Sequence, residues 1–535
     1  MTVADGVGAA ADDLLATLVR DPWGQVSPSV YETARLVALA PWLSGHDERV
    51  TWLLDRQRPD GGWGPPDGYG LVPTLSATEA LLADATGRDA GGRDADGAIP
   101  RGERLRAAER GLRSLTEAPV WAVPDTPAVD LIAPALAAAI DHRSRHRLGP
   151  PGGRSSTGPV RLPAGLTRVR LDALHRLRAA GQSLPRKLRH ALEVLGEGAR
   201  RLTGIRPEGP GVVGASPAAT VAWLGQPRPA DETVVRYLDQ VVHRHLHLAP
   251  CTVPITVFER AWVLAGLSRA GVPVAVPDVL PRGLVAALGP SGAATGPGLP
   301  TDADTTAVVL YALARLGRPV PPDSLWAYDL GRHFCTWPGE DGTSVSTNAH
   351  VLEAFGWHHR HGAKPGSRYR PVIERLTGWL TDQQLAEGCW VDRWHASPFY
   401  ATSCAALALA DFGETAAARL AVRRAVDWVL ATERPGGGWG HTGRTVEETG
   451  YAMQILLTAM PTAGTVPAEV VRRGLASLAR HDGGADEPHL WHDKDLYRPD
   501  AIIRSSTLAA QHRARAWLTE ADRAGAGRGG GSPMA

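Results

Sequence analysis

Apolar residues recur along most of this chain every three to four positions. "VYETARLVALAPWL", "KLRHALEVLGEGARRL", "VFERAWVLAGLSRAG", "TTAVVLYALARLG", "TNAHVLEAFGWHH", "CAALALADFG" and "ETGYAMQILLTAM" all place Leu, Val and Ala at i, i+3, i+4 and i+7, the period of a helix with one buried face. Almost nothing alternates with the period of a strand. Glycine and proline punctuate the pattern, so the helices are short and many. The spacing predicts an all-α protein.

An eight-residue phrase repeats between helices. "QRPDGGWG" (Gln57 to Gly64) returns as "ERPGGGWG" (Glu433 to Gly440) and more loosely as "QQLAEGCW" (Gln383 to Trp390). Glycine permits the tight turn, and the tryptophan can anchor on the next helical pair. Repeated helical hairpins joined in this way predict toroids of paired helices. Thr86 to Gly102 and Leu148 to Gly165 read as loops. Leu288 to Thr301 reads as a domain boundary and the last residues as a disordered tail.

With 535 residues, 43% of them hydrophobic, the chain can bury more than one core. A net charge of +1 gives no bulk attraction for nucleic acid. The four cysteines form no CxxC pair, which predicts a reduced, cytoplasmic protein without structural zinc. No signal peptide or membrane span is predicted. Tryptophan (17) far exceeds phenylalanine (5), which suggests aromatic packing or an aromatic-lined pocket.

The chemistry concentrates at "TDADTTAVVLYALARLG" (Thr301 to Gly317). Asp302 and Asp304 stand one residue apart where an apolar helix begins, more acid than a cap requires. Burial and a second carboxylate both favour the protonated form of an Asp. The helix N-terminus favours the anion, which makes the protonated group a better donor. On the residues alone, Asp302 serves equally as a helix cap.

This segment resembles the DxDD-Thr-Ala signature of class II terpene cyclases. "SPSVYETA", "KLRHALE", "GASPAATVAWL", "VPITVFERAW", "DRWHASPFYAT" and "LWHDKDLYRP" resemble further family segments in the same order along the chain. The resemblance implies two (α/α) barrel domains, β and γ, with γ inserted after the first β helix. The boundaries read as residues 1–41 (β), 42–288 (γ), 289–522 (β) and 523–535 (tail). It implies that Asp304 is the general acid that protonates an alkene, with Asp302 beside it. Asn348 would orient Asp304, or simply cap the helix that follows. Arg260, Arg393 and Lys494 match basic positions near the diphosphate, or are salt-bridge partners. His190 matches the family's water-positioning histidine, while its partner position falls near Cys251. The magnesium-linked glutamate of plant members falls near Thr167, so Mg2+ is expected on the diphosphate oxygens and another acid, with Glu259 the candidate. The DDxxD motif that ionises a diphosphate is missing; "ADDLLAT" lacks its last Asp.

Thr305 departs from the signature, and the DxDTT form resembles bacterial drimenyl diphosphate synthases. The expectation is therefore conversion of farnesyl diphosphate to drimenyl diphosphate, an isomerisation that keeps the diphosphate. The same chemistry on geranylgeranyl diphosphate, giving a copalyl-type product, is the nearest rival. An (α/α) barrel glycosidase, with two carboxylates about 5–10 Å apart, and a non-catalytic helical-repeat module are the rivals of other classes. Oligomeric state and product stereochemistry are not legible.

Overall fold

The computed structural model describes residues 3–87, 99–117, 122–147, 159–362, 368–458, 466–480 and 487–528. After α1 (Val3–Arg20), eight helices follow: α2 (Val30–Leu39), α3 (His46–Asp55), α4 (Leu71–Gly87), α5 (Arg101–Glu117), α6 (Val129–Arg147), α7 (Val169–Ala179), α8 (Pro217–Leu224) and α9 (Glu232–Arg244). Ten more complete the chain: α10 (Thr256–Ala270), α11 (Val279–Ala287), α12 (Ala303–Arg315), α13 (Val345–His361), α14 (Arg370–Asp382), α15 (Pro398–Phe412), α16 (Ala416–Ala431), α17 (Val446–Thr458), α18 (Ala468–Arg480) and α19 (Asp500–Arg528). The strands β1 (Trp491–His492) and β2 (Leu496–Tyr497) form one small antiparallel hairpin.

Helix contacts close two rings. In the first, α2, α4, α6, a run of tight 3-10 turns (Arg186–Ala199) and α8 pack in order, and α8 returns to α2. In the second, α10, α12, α13, α15, α17 and α19 form the inner wall, and α19 returns to α10. An outer layer of α1, α11, α14, α16, α18 and a short 3-10 turn (Pro322–Tyr328) wraps that wall. Burial follows the layers. Helix α12 is buried from Thr305 to Ala314 and α13 from Val345 to Gly356, whereas outer α16 buries only one stripe, including Ala421, Val422, Ala425 and Val429. A helix apolar on all sides belongs inside, and an amphipathic one outside.

The β core gathers Val7 to Val26 and Ile255 to Ala514. The γ cores span Tyr31 to Ala222 and Leu36 to Val253. These cores move the boundaries from the expected Trp42 and Leu288 to near Ser29 and Ile255. Helix α2, with its "VYETA" segment, lines γ, and α10 with α11 belongs to β. Periodicity shows that a helix buries a face, not which barrel receives it. Leu288 to Thr301 is an internal β loop, and α19 continues to Arg528, past the expected start of the tail.

The repeated turn behaves as one unit at all three positions. Trp63, Trp390 and Trp439 are fully buried. Each indole N–H donates to a carbonyl ten residues back, of Leu53, Leu380 and Val429, at 2.7–2.8 Å. Each backbone N–H donates to a threonine hydroxyl on the next helix, Thr74, Thr402 or Thr449, at 2.9–3.0 Å. The turn needs glycine: Gly61 and Gly388 have positive φ, and a Cβ at either would stand 2.5 Å from a backbone oxygen of the outer helix.

Candidate active site

Asp302 is the N-cap of α12; its carboxylate accepts the Thr305 N–H at 2.6 Å. It is 3% exposed. Burial, reinforced by the negative charge of Asp304 and partly offset by the cap hydrogen bonds, pushes its pKa up to about 8. Burial therefore favours the protonated form of this carboxyl. Asp304 lies in the first turn of α12, two residues after the cap. Its Oδ1 meets His350 Nδ1, from α13, at 2.7 Å. Burial opposes charging the imidazole, but the Asp304 carboxylate outweighs it and holds His350 well above the usual histidine range.

Aromatic rings surround this pair. Trp262 stands edge-on to His350 at 5.4 Å and donates its indole N–H to Tyr400. Phe258 lies 4.2 Å from Trp262, and Trp491 lies 4.7 Å from Tyr400, with Tyr451 and Tyr497 beside them. Such faces stabilise a nearby cation by about 0.5–2 kcal/mol each. The γ barrel covers this end: the loops that lead into α12, α13, α15 and α19 touch it through Leu299–Arg186, Gly339–Lys187, Arg393–Asp125 and Lys494–Glu193. The acids thus sit at a barrel mouth closed by a second barrel.

The squalene-hopene cyclase C-terminal domain family matches residues 340–494. Over 524 residues the chain is 43% identical to an ent-copalyl diphosphate synthase of Streptomyces sp. (strain KO-3988), covering 96% of this chain and 97% of that one. This chain is a bacterial class II terpene cyclase. A labda-7,13-dienyl diphosphate synthase of Streptomyces clavuligerus is 42% identical, with 94% and 92% covered. An ent-copalyl diphosphate synthase structure from Streptomyces platensis superposes with a TM-score of 0.88 at 42% identity, covering 95% of the cyclase and all of that chain.

These relatives overturn the farnesyl-to-drimenyl expectation, since copalyl and labdadienyl diphosphates are C20 products. The structure gives Thr305 a local task. Its N–H is taken by the Asp302 cap, and its hydroxyl faces Thr295 at 3.0 Å. Thr305 supports the loop before α12.

Of the other expected residues, few reach the acids. Asn348 is fully buried, but its amide accepts from Phe334 N–H and donates to the Phe334 and Ser344 carbonyls at 2.8–3.0 Å. It braces the start of α13, and His350, two residues on, is the group against Asp304. Arg260 points out of the barrel, toward the Leu18 carbonyl on α1 and toward α11. Arg393 pairs with Asp125 at 2.8 Å and Glu340 at 3.4 Å and lies over the Trp394 ring.

Lys494 is fully buried between the barrels. It pairs with Glu32 and Glu193 and donates to Ser216 and to the His190 carbonyl. All its donors are spent there, so it is not free to grip a diphosphate. His190 meets Asp493 at 2.8 Å through Nε2 and the Gly214 carbonyl at 2.7 Å through Nδ1. The family-like segments around Tyr31, His190, Ser216 and Lys494 therefore converge on an interdomain bolt.

Glu259 accepts the Gln25 N–H at 2.7 Å at the junction of α1 with γ, and burial pushes it up to about 7. A carboxylate committed to a backbone N–H and favouring its protonated form is poorly suited to hold magnesium. Among the described residues no group of three His, Cys, Asp or Glu is placed to hold a metal. No described helix is long and apolar enough to cross a membrane. His350, Trp262, Tyr400 and Trp491 were not singled out in the sequence; the available signal was a histidine one helical turn inside a segment that buries every residue.

Proposed function

We propose that the cyclase converts geranylgeranyl diphosphate to a bicyclic copalyl-type diphosphate, with Asp304 as the proton donor. The Asp304–His350 contact carries this reading. A neutral carboxyl aimed at an alkene is a weak acid, and a cationic imidazole on its other oxygen stabilises the carboxylate that forms. Asp304 adds its proton to the terminal double bond and leaves a tertiary cation. The next two double bonds close two rings in turn, and the cation arrives at the second ring. Loss of one proton there balances the one added, so the product is an isomer with its diphosphate intact. The rings of Trp262, Tyr400, Trp491 and Phe258 exclude water and stabilise the cation on its way. Magnesium is read as travelling on the diphosphate oxygens, where it would neutralise their charge.

The test is incubation of the purified protein and Mg2+ with geranylgeranyl diphosphate and, separately, with farnesyl diphosphate. Products are dephosphorylated and separated by GC–MS, with Asp304→Ala alongside. A bicyclic C20 alcohol from the wild type alone is expected. No cyclised product, or one that persists in the variant, overturns the reading.

A further inference from the structure

The aromatic wall has an acid at each end. At one end Asp304 meets His350, whose ring lies 5.4 Å from that of Trp262. Trp262 donates to Tyr400 at 3.2 Å, and Tyr400 lies 4.7 Å from Trp491 and 5.4 Å from Tyr451. At the other end stands Glu447, in the first turn of α17 and 1% exposed. Its Oε1 accepts from three donors: the Trp491 indole N–H at 2.7 Å, the Tyr451 hydroxyl at 3.1 Å and His395 Nε2 at 3.1 Å. Three donors on one oxygen, at a helix N-terminus, are the surroundings of a carboxylate.

No side-chain cation among the described residues balances this charge. His395 Nδ1 accepts the Ser397 N–H at 3.0 Å, so the ring carries its one proton on Nε2 and the imidazole is neutral. No Lys or Arg among the described residues pairs with Glu447. A buried carboxylate without a positive partner costs stability. The fold nevertheless fixes this one firmly. His395 and Trp491 are backbone partners across an antiparallel bridge, and His395 stacks on Tyr400 at 4.8 Å.

Turnover supplies the missing positive charge. Once Asp304 has given up its proton it is an anion beside a new cation, and that charge has to travel on to the second ring. We propose that Glu447 is a positioning residue for the cation: its carboxylate, behind Trp491 and Tyr451, makes the far end of the aromatic wall negative and draws the positive charge there, away from Asp304. Hydrogen bonds from the indole and the phenol to an anion also push electron density onto both rings, which strengthens their attraction for a cation. No bond forms or breaks at Glu447.

The proposal rests on the geranylgeranyl reading and has a test that needs no turnover. Glu447→Gln keeps an oxygen acceptor and removes the charge. Two bicyclic diphosphates serve as probes. One carries a tertiary ammonium at the ring position that bears the cation, and the other carries carbon there. Affinities are measured by titration calorimetry with Mg2+. The variant should bind the ammonium probe about tenfold more weakly than the wild type does, and the neutral probe within about twofold. With geranylgeranyl diphosphate its kcat should fall by about tenfold at unchanged KM, and part of the product should stop at one ring. Tyr451→Phe keeps both carboxylate and ring and should retain the preference for the ammonium, which tests the charge even where Glu447→Gln fails to fold. If both probes weaken together in Glu447→Gln, the residue is structural and the inference fails. If neither weakens, or Tyr451→Phe loses the preference, the cation does not feel this carboxylate and the inference also fails. A wild type that makes no cyclised C20 product defeats the geranylgeranyl reading itself, a result distinct from these.

Discussion

Two clusters of buried acids lie close together in this cyclase and are treated in opposite ways. Between the barrels, Glu32 and Glu193 share Lys494, and Asp493 shares His190. Each of these carboxylates has a cationic partner, although burial still raises Glu32 to about 7, and the cluster locks γ to β. At the β mouth, Asp302 has only backbone and hydroxyl partners, so burial raises it to about 8. Asp304 meets a single imidazole, which stands beside the Trp262–Tyr400 ring cluster. A bolt is held by its cation partners, whereas the proposed donor needs a proton that can leave. Sequence motifs drew equal attention to both clusters, and partner count separates them.

The contrast can be broken by substitution. Asp304→Ala should lower the turnover rate by about 10³-fold while the circular dichroism spectrum and melting midpoint stay near wild type. In Lys494→Met two glutamates lose their cation, and stability in chemical denaturation should fall by about 3–5 kcal/mol. Adding Glu32→Gln and Glu193→Gln should restore much of it, as expected for a structural bolt. Replacing His350 with Leu should slow product formation by about 100-fold with a small change in melting temperature. A large stability loss and an unchanged rate would move His350 into the structural class.

The pH dependence sharpens the same point. Asp302 titrates near 8 when folded and near 3.8 otherwise, so between those values the native state keeps a proton that the unfolded chain gives up. Its contribution is complete below about pH 4 and declines as pH rises to about 8, by up to about 1.4 kcal/mol per unit. Asp302→Asn keeps the cap and should flatten this slope. Glu32 and Glu259, each raised to about 7 mainly by burial, add slope in the same direction, so the readout is the difference between wild type and variant from pH 5 to 8. The smallest effect belongs to Arg260→Gln. On the outer side of α10 it should change stability by about 0.5 kcal/mol or less and leave KM for geranylgeranyl diphosphate unchanged, which a diphosphate ligand could not do.

What the linear sequence determined was local or periodic. The 3.6-residue pattern set the helices, because burial on one face repeats along the chain. The three Gly-Trp turns marked the toroids, because each closes its contacts within neighbouring hairpins. The Asp302-x-Asp304 pair was legible because cap and acid lie within one helical turn. Tertiary structure decided the rest. It placed α2 in γ and α10 in β, although both carry the same apolar rhythm. It put His350 rather than Asn348 against Asp304, since the α12–α13 packing angle selects which side chain two positions apart faces the acid. It spent Lys494 on glutamates that lie 301 and 462 positions away in the chain. A basic residue read in one dimension offers a charge; which acid takes it depends on contacts that exist only when two barrels meet.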